Sequence, residues 1–258
     1  MIIHNQIILF QDFITVQNSM LKKIIKSVLS KNAINKLVNI KNNYFDGYAL
    51  RSYSQEGEDM ILMRLFENQK MGFYVDVGAH HPKRFSNTYF FYKLGWKGIN
   101  VDAMPGSMTA FNRIRARDIN IEKPVSNKKQ LLTYYAFNEP ALNGFSKELS
   151  EERDGKGSYF VKFTKDIETS TLEEILDNNL PKVQSIDFLS IDVEGLDFNV
   201  LKSTNLEKYH PKVILVEILN SSLADIQVSK IYKFLTDAGY EFYAKAVNTV
   251  IFKYKEVV

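Results

Sequence analysis

The chain of 258 residues contains no cysteine. That excludes disulfides, a thiolate nucleophile and cysteine-ligated zinc or iron–sulfur centres. Histidine is scarce too, with only His4, His80, His81 and His210, so a three-histidine metal site is not expected. Six prolines and twelve glycines leave no low-complexity linker. No apolar run approaches the ~20 residues of a membrane span. The apolar residues 7–10 follow no Lys or Arg and are cut by Gln11-Asp12, unlike a secretory signal, and we expect a cytoplasmic chain. What is present is ordinary for a globular protein: 45% hydrophobic and 24% charged residues, which excludes wholesale disorder.

A net positive charge is also lacking outside one segment. Residues 1–50 carry six Lys and two Asp, a balance of +4 within a net charge of +3, so the remainder sums to −1. A near-neutral body lacks the basic face that nucleic-acid binding needs. We expect two parts, an extension over 1–50 and a catalytic domain over 51–258. In the extension Leu21, Ile24, Ile25, Val28 and Leu29 recur at helical spacing, with Lys22, Lys23 and Lys26 elsewhere on the wheel. Such a helix can dock on the body or on a second subunit. Alternatively, residues 19–30 can lie on an anionic membrane. Residues 31–50, rich in Asn, read as a connector.

From about residue 70 strands alternate with helices. Strands are expected at 73–77, 98–102, 120–126, 131–137, 186–193 and 212–219, with an antiparallel pair at 240–246 and 249–254. Helices are expected after Ser86-Asn87-Thr88, around Met108, Phe111 and Ile114, from Ser170-Thr171 to Leu180, after Gly195, and over Leu223 to Leu235. Polar residues 138–160 read as a long surface excursion. Apolar strands alternating with helices mean an α/β sheet covered on both faces.

In open α/β sheets ligands sit beyond the carboxyl ends of the strands. The first strand ends in Asp76, Gly78, Ala79, His80 and His81, the second in Asp102 and Ala103, and the third in Val125 and Ser126. The fourth ends in Asp192, Glu194 and Gly195, and the fifth in Glu217. Gly78 permits a tight turn and close backbone approach. Asp102 can accept both hydroxyls of an adenosine ribose. The first loop lacks the further glycines of a dinucleotide fingerprint and has acidic Asp76 before it, which suits a cationic ligand end. The cofactor this suggests is S-adenosylmethionine, with a nicotinamide oxidoreductase as the rival. Proton abstraction from an acceptor falls to His81, Asp192 or Glu194. Asp192 and Glu194 bracket Val193 and can face one way, as bases or as oxygen ligands for Mg²⁺. Glu217 can line the site or hold a loop amide.

Five motifs then occur in order: Ser54-Gln55-Glu56-Gly57-Glu58-Asp59, Gly72-Phe73-Tyr74-Val75-Asp76-Val77-Gly78-Ala79, Ser86-Asn87-Thr88, Gly95-Trp96-Lys97-Gly98 and Ile191-Asp192-Val193-Glu194-Gly195. This series, over about residues 53–220, resembles the FkbM family of S-adenosylmethionine-dependent methyltransferases. The resemblance implies a class I methyltransferase fold, Rossmann-like, with sheet order 3-2-1-4-5-7-6 and an antiparallel last strand. It also implies O-methylation, often of a sugar in a surface polysaccharide or a natural product. It suggests that the segment with Gln55 and Glu58 folds over the cofactor, alongside Asn87 and Thr88. Asp102 stands where members often carry Glu. The leading expected acceptor is a nucleotide-activated sugar for capsule or lipopolysaccharide. A lipid-linked glycan, a non-sugar small molecule and a domain that binds cofactor without turnover are the alternatives.

Overall fold

The computed structural model describes residues 29–255, so the expected helix at 19–30 lies almost wholly outside the described residues. Two units divide between Arg51 and Ser52. In the first, residues 31–44 are not the connector that their Asn content suggests. They form helix α1 (Lys31–Tyr44), where the Ser30 hydroxyl accepts from the Ala33 N–H, and none of its residues is buried. Among the described residues no helix is long and apolar enough to cross a membrane.

The second unit is a seven-stranded sheet with helices on both faces. Its strands are β1 (Phe73–Val77), β2 (Lys97–Asp102), β3 (Ile119–Glu122), β6 (Phe188–Ile191), β7 (Val213–Glu217), β8 (Tyr240–Ala246) and β9 (Thr249–Tyr254), in spatial order β3-β2-β1-β6-β7-β9-β8. Two further strands, β4 (Leu131–Phe137) and β5 (Val161–Glu168), pair only with each other. Setting them aside, the order is 3-2-1-4-5-7-6, and β9 runs antiparallel to its neighbours, as the class I methyltransferase fold requires.

The strand residues explain this arrangement. In β1, Phe73, Val75 and Val77 enter one core cluster while Tyr74 enters the other, so a continuous apolar run fills both faces. The first face is covered by α6 (Leu172–Asn179), α7 (Asp197–Lys202), α8 (Leu206–Tyr209), α9 (Leu223–Val228) and α10 (Lys230–Asp237). The second receives Leu62 of α2 (Glu58–Leu65), Phe91 of α3 (Tyr89–Lys93) and Trp96. Trp96 is wholly buried among Phe66, Phe91 and Phe188 and serves packing.

Several expectations change in detail. The helix expected over Leu223 to Leu235 breaks at Ser229, which is extended and whose hydroxyl caps α10 at Tyr232. Thr88 precedes α3 but does not cap it with its side chain; the Ser86 hydroxyl accepts from the Tyr89 N–H instead. The excursion 138–160 is structured, with a 3-10 turn (Pro140–Leu142) and α5 (Lys147–Arg153), whose Ser146 hydroxyl caps Leu149. It packs on the site described next. Helix α4 (Met108–Ile114) completes the fold.

Candidate active site

Parallel register sets the site. Val77 pairs with Ile191 and Ile191 with Val216, so Gly78, Asp192 and Glu217 follow at adjoining strand ends. Gly78 has φ +83°, and a Cβ there would lie 1.7 Å from the Asp192 carbonyl oxygen. Only glycine lets these two turns meet. Above them opens a cavity of about 830 Å³, counting its open mouth. Its lining includes Gln55, Gly78, His80, Phe85, Asp102, Ala103, Met104, Val125, Tyr134, Asn143, Asp192 and Glu194.

Seven of the residues singled out from sequence thus meet here: Gln55, Gly78, Asp102, Ala103, Val125, Asp192 and Glu194. Six lie elsewhere. Asp76 shares the face of Tyr74, accepts from the Thr88 hydroxyl at 2.7 Å, and lies near the fully buried Arg115. Burial pushes its carboxyl up to about 6, against the Thr88 hydrogen bond and the Arg115 charge. Thr88 is held by Asp76 and Arg115, and Asn87 donates to the Ser190 hydroxyl. Ala79 packs on Met108 and Phe111. The Ser126 hydroxyl accepts from Gln130. His81 caps its own loop: its Nδ1 accepts from the N–H groups of Lys83 and Arg84 at 3.1 and 2.9 Å. Burial and the Arg84 and Lys83 charges push its pKa down.

Asp102 is buried at the β2 end. Its Oδ2 accepts from the His80 N–H at 2.8 Å and its Oδ1 from the Met104 N–H at 2.7 Å. Each oxygen keeps a further lone pair for a ligand hydroxyl. His80 sits at φ +52°, stacks on Phe85, and leaves Nε2 without a partner. Burial and the neighbouring Arg84 and His81 push it down to about 4, so it is neutral. Gln55 is presented by a loop tied at both ends. Asp59 accepts from Ser52, Tyr53 and Ser54, while Glu56 and Glu58 accept from Asn248 and Thr249.

At the other end, carboxylate oxygens of Asp192, Glu194 and Glu217 lie within 4.8 Å of one another. Asp192 exposes surface into the cavity although protein rings its carboxyl. Desolvation, then the Glu194, Asp197, Asp76 and Glu58 charges, push it well above the ordinary carboxylate range. Glu217 does not line the cavity; its Oε2 is buried without a hydrogen-bond partner. Desolvation and the Asp192 and Glu194 charges push it up to about 10. It therefore keeps its proton at neutral pH. Glu194 forms an ion pair with Arg153 of α5 at 2.7 Å.

This donor set fits Mg²⁺ poorly. A guanidinium already lies against Glu194 and Glu217 does not line the cavity, so of the three only Asp192 is an unpaired carboxylate open to it.

Sheet order, a glycine turn at β1, an acid at the end of β2 and a cavity over the carboxyl ends together define a class I methyltransferase. The chain matches the family described as Methyltransferase FkbM domain over residues 76–242, nearly two thirds of its length, and belongs to that family. The segment carrying Gln55 lies outside the matched residues. No curated protein matches. Among solved structures the chain is similar to a presumed O-methyltransferase from Klebsiella pneumoniae, with 10% identity and a TM-score of 0.40. The likeness covers 92% of this chain and 96% of that one.

Sequence reading missed Arg153, Phe85, Tyr134 and Asn143, and left Glu217 undecided. Gly144 offered a signal, since a Cβ there would lie 3.1 Å from the Glu194 Cβ, but only the folded chain shows why that position is glycine.

Proposed function

We propose that the protein is an S-adenosylmethionine-dependent O-methyltransferase whose acceptor is a sugar hydroxyl, carried by a nucleotide-activated sugar used in surface-polysaccharide assembly. One observation carries the reading: a single cavity joins a satisfied acid at the β2 end, Asp102, to a proton-hungry acid at the β6 end, Asp192.

Asp102 would hold the ribose hydroxyls through its remaining lone pairs, and Gly78 leaves room for close approach. When bound, S-adenosylmethionine supplies a methyl group activated on a sulfonium, which leaves as a neutral thioether. The chain supplies position and a base. Asp192 takes the hydroxyl proton as the acceptor oxygen bonds to the methyl carbon. Its raised proton affinity makes it a stronger base than an ordinary carboxylate, and such help is worth about 10²–10⁴-fold. Neutral His80 adds no positive charge to this cavity.

The test is thermal unfolding with S-adenosylhomocysteine and, separately, with NAD(H). A ligand at ~100 times its Kd adds ~2.7 kcal/mol. A shift with S-adenosylhomocysteine alone supports the reading, and methyl transfer to UDP- and GDP-sugars is then assayed. A shift with NAD(H) alone overturns it.

A further inference from the structure

We propose that Arg153 is a positioning residue: it pins Glu194 to the excursion and leaves Asp192 as the carboxylate open to an acceptor. The inference deepens the methyl-transfer reading and rests on it.

The excursion grips the turn that carries both acids. A Cβ on Gly195 would lie 2.7 Å from Leu149 Cδ1 and 3.3 Å from Ser146 Cβ, so α5 and its cap lie directly on that turn. Gly144 comes as close to Glu194. From the inner side the Asp197 carboxylate accepts the N–H groups of Val193 and Gly195 at 3.1 and 3.0 Å. Glu194 itself holds φ +53°, a conformation that costs a non-glycine residue and persists only when its surroundings impose it. The Arg153–Glu194 contact at 2.7 Å closes this clamp.

The charges around Glu194 make Arg153 the decisive group. Facing it are Asp192 and Asp197 from its own turn and helix, with the protonated Glu217 of β7 beside them. Behind Asp192 stand Asp76 of β1 and Glu58 of α2. Burial raises Glu194 and the guanidinium opposes it. Without that cation Glu194 takes up a proton and leaves its wall, and two acids then compete for one acceptor hydroxyl.

The experiment follows side-chain carboxyl ¹³C shifts through a pH titration of the full chain, wild type against Arg153→Met and Arg153→Lys. Calorimetry with S-adenosylhomocysteine runs on the same samples. In R153M the Glu194 midpoint should rise by about one unit or more, a tenfold gain in proton affinity. In R153K it should return toward wild type, because the charge facing Glu194 is restored. S-Adenosylhomocysteine affinity should be nearly unchanged in both. An unmoved Glu194 midpoint in R153M overturns the proposal, as does an equal shift in R153K, which would make the residue mere packing. R153K keeps the question decidable if R153M does not fold. Wild-type protein that binds no S-adenosylhomocysteine removes the transfer reading, and the role with it, even if Glu194 shifts. Normal binding with a static Glu194 removes only the role of Arg153.

Discussion

At the β2 end of the cavity one buried carboxylate, Asp102, is spoken for by two backbone amides. At the β6 and β7 ends three carboxyl groups face one another with Arg153 against one of them. The residue types are the same and the consequences differ. Burial raises the Asp102 carboxyl above its ordinary range, and the two amide donors, which favour its charged form, oppose that rise. At Asp192 burial and then the neighbouring carboxylates push the same way, and it becomes a group that wants a proton. Satisfaction suits binding; frustration suits chemistry.

The sharpest way to break this comparison is to neutralise each end in turn. Asp192→Asn keeps the shape and removes the base, so methyl transfer should fall by about 10²–10⁴-fold with S-adenosylhomocysteine affinity retained. Asp102→Asn should do the opposite. Its amide turns a donor toward the His80 or Met104 N–H, and hydrogen bonds to a charged group are worth about 1.5–3 kcal/mol. Affinity measured by calorimetry should drop by tenfold or more. Near-normal turnover in D192N would end its assignment as base.

Gly78→Ala attacks the point where the two ends meet. The new methyl would overlap the Asp192 carbonyl at 1.7 Å in a backbone conformation that disfavours side chains. One of the turns must move. We expect a loss of about 1–3 kcal/mol from backbone strain alone, visible in denaturant unfolding, together with loss of cofactor binding. An unaltered midpoint would show that the turns do not meet as described.

Much of this arrangement was legible beforehand, for identifiable reasons. Strands β1, β2, β6 and β7 are buried on both faces, and their apolar runs announce it. Gly78 and Asp102 stand at strand ends, where local spacing fixes their place. Strand β5 was not legible because nearly every residue in it is exposed, so burial imprints no pattern on it. Helix α1 was hidden by its Asn content. Asp76 occupies the strand that delivers Gly78, yet alternation turns its side chain toward Thr88. Arg153 meets Glu194 only because the excursion folds back over the β6 turn, a contact that no local periodicity encodes.

Glu217 sharpens the contrast through pH. Its carboxyl is pushed up to about 10 in the folded chain, from an ordinary value of 4.5. Between those values the folded protein holds a proton that the unfolded chain releases. Stability contributed by this site therefore falls as pH rises across that window. Glu217→Gln mimics the protonated form and removes the dependence. The variant should unfold at a higher temperature than wild type at pH 8 and match it near pH 4. A variant less stable at both values would mean that Glu217 is ionised and paired.

The smallest effect belongs to the ion pair at the cavity mouth. Arg84, in the loop after β1, lies 2.9 Å from Glu139 of the excursion, with its guanidinium 4.2 Å from the Phe85 ring centre. The pair joins the loop after β1 to the excursion. Its side chains are 45% and 32% exposed, so water and salt screen it. A double-mutant cycle with Arg84→Ala and Glu139→Gln should give a coupling of about 0.2–1 kcal/mol, fading as salt is raised. Arg153 and Glu194 form the same kind of pair at 21% and 18% exposure, amid further carboxylates, and should couple more strongly and resist salt better. Equal couplings would erase the distinction drawn between the two pairs, because exposure would then not be what separates a contact at the rim from one that positions the site.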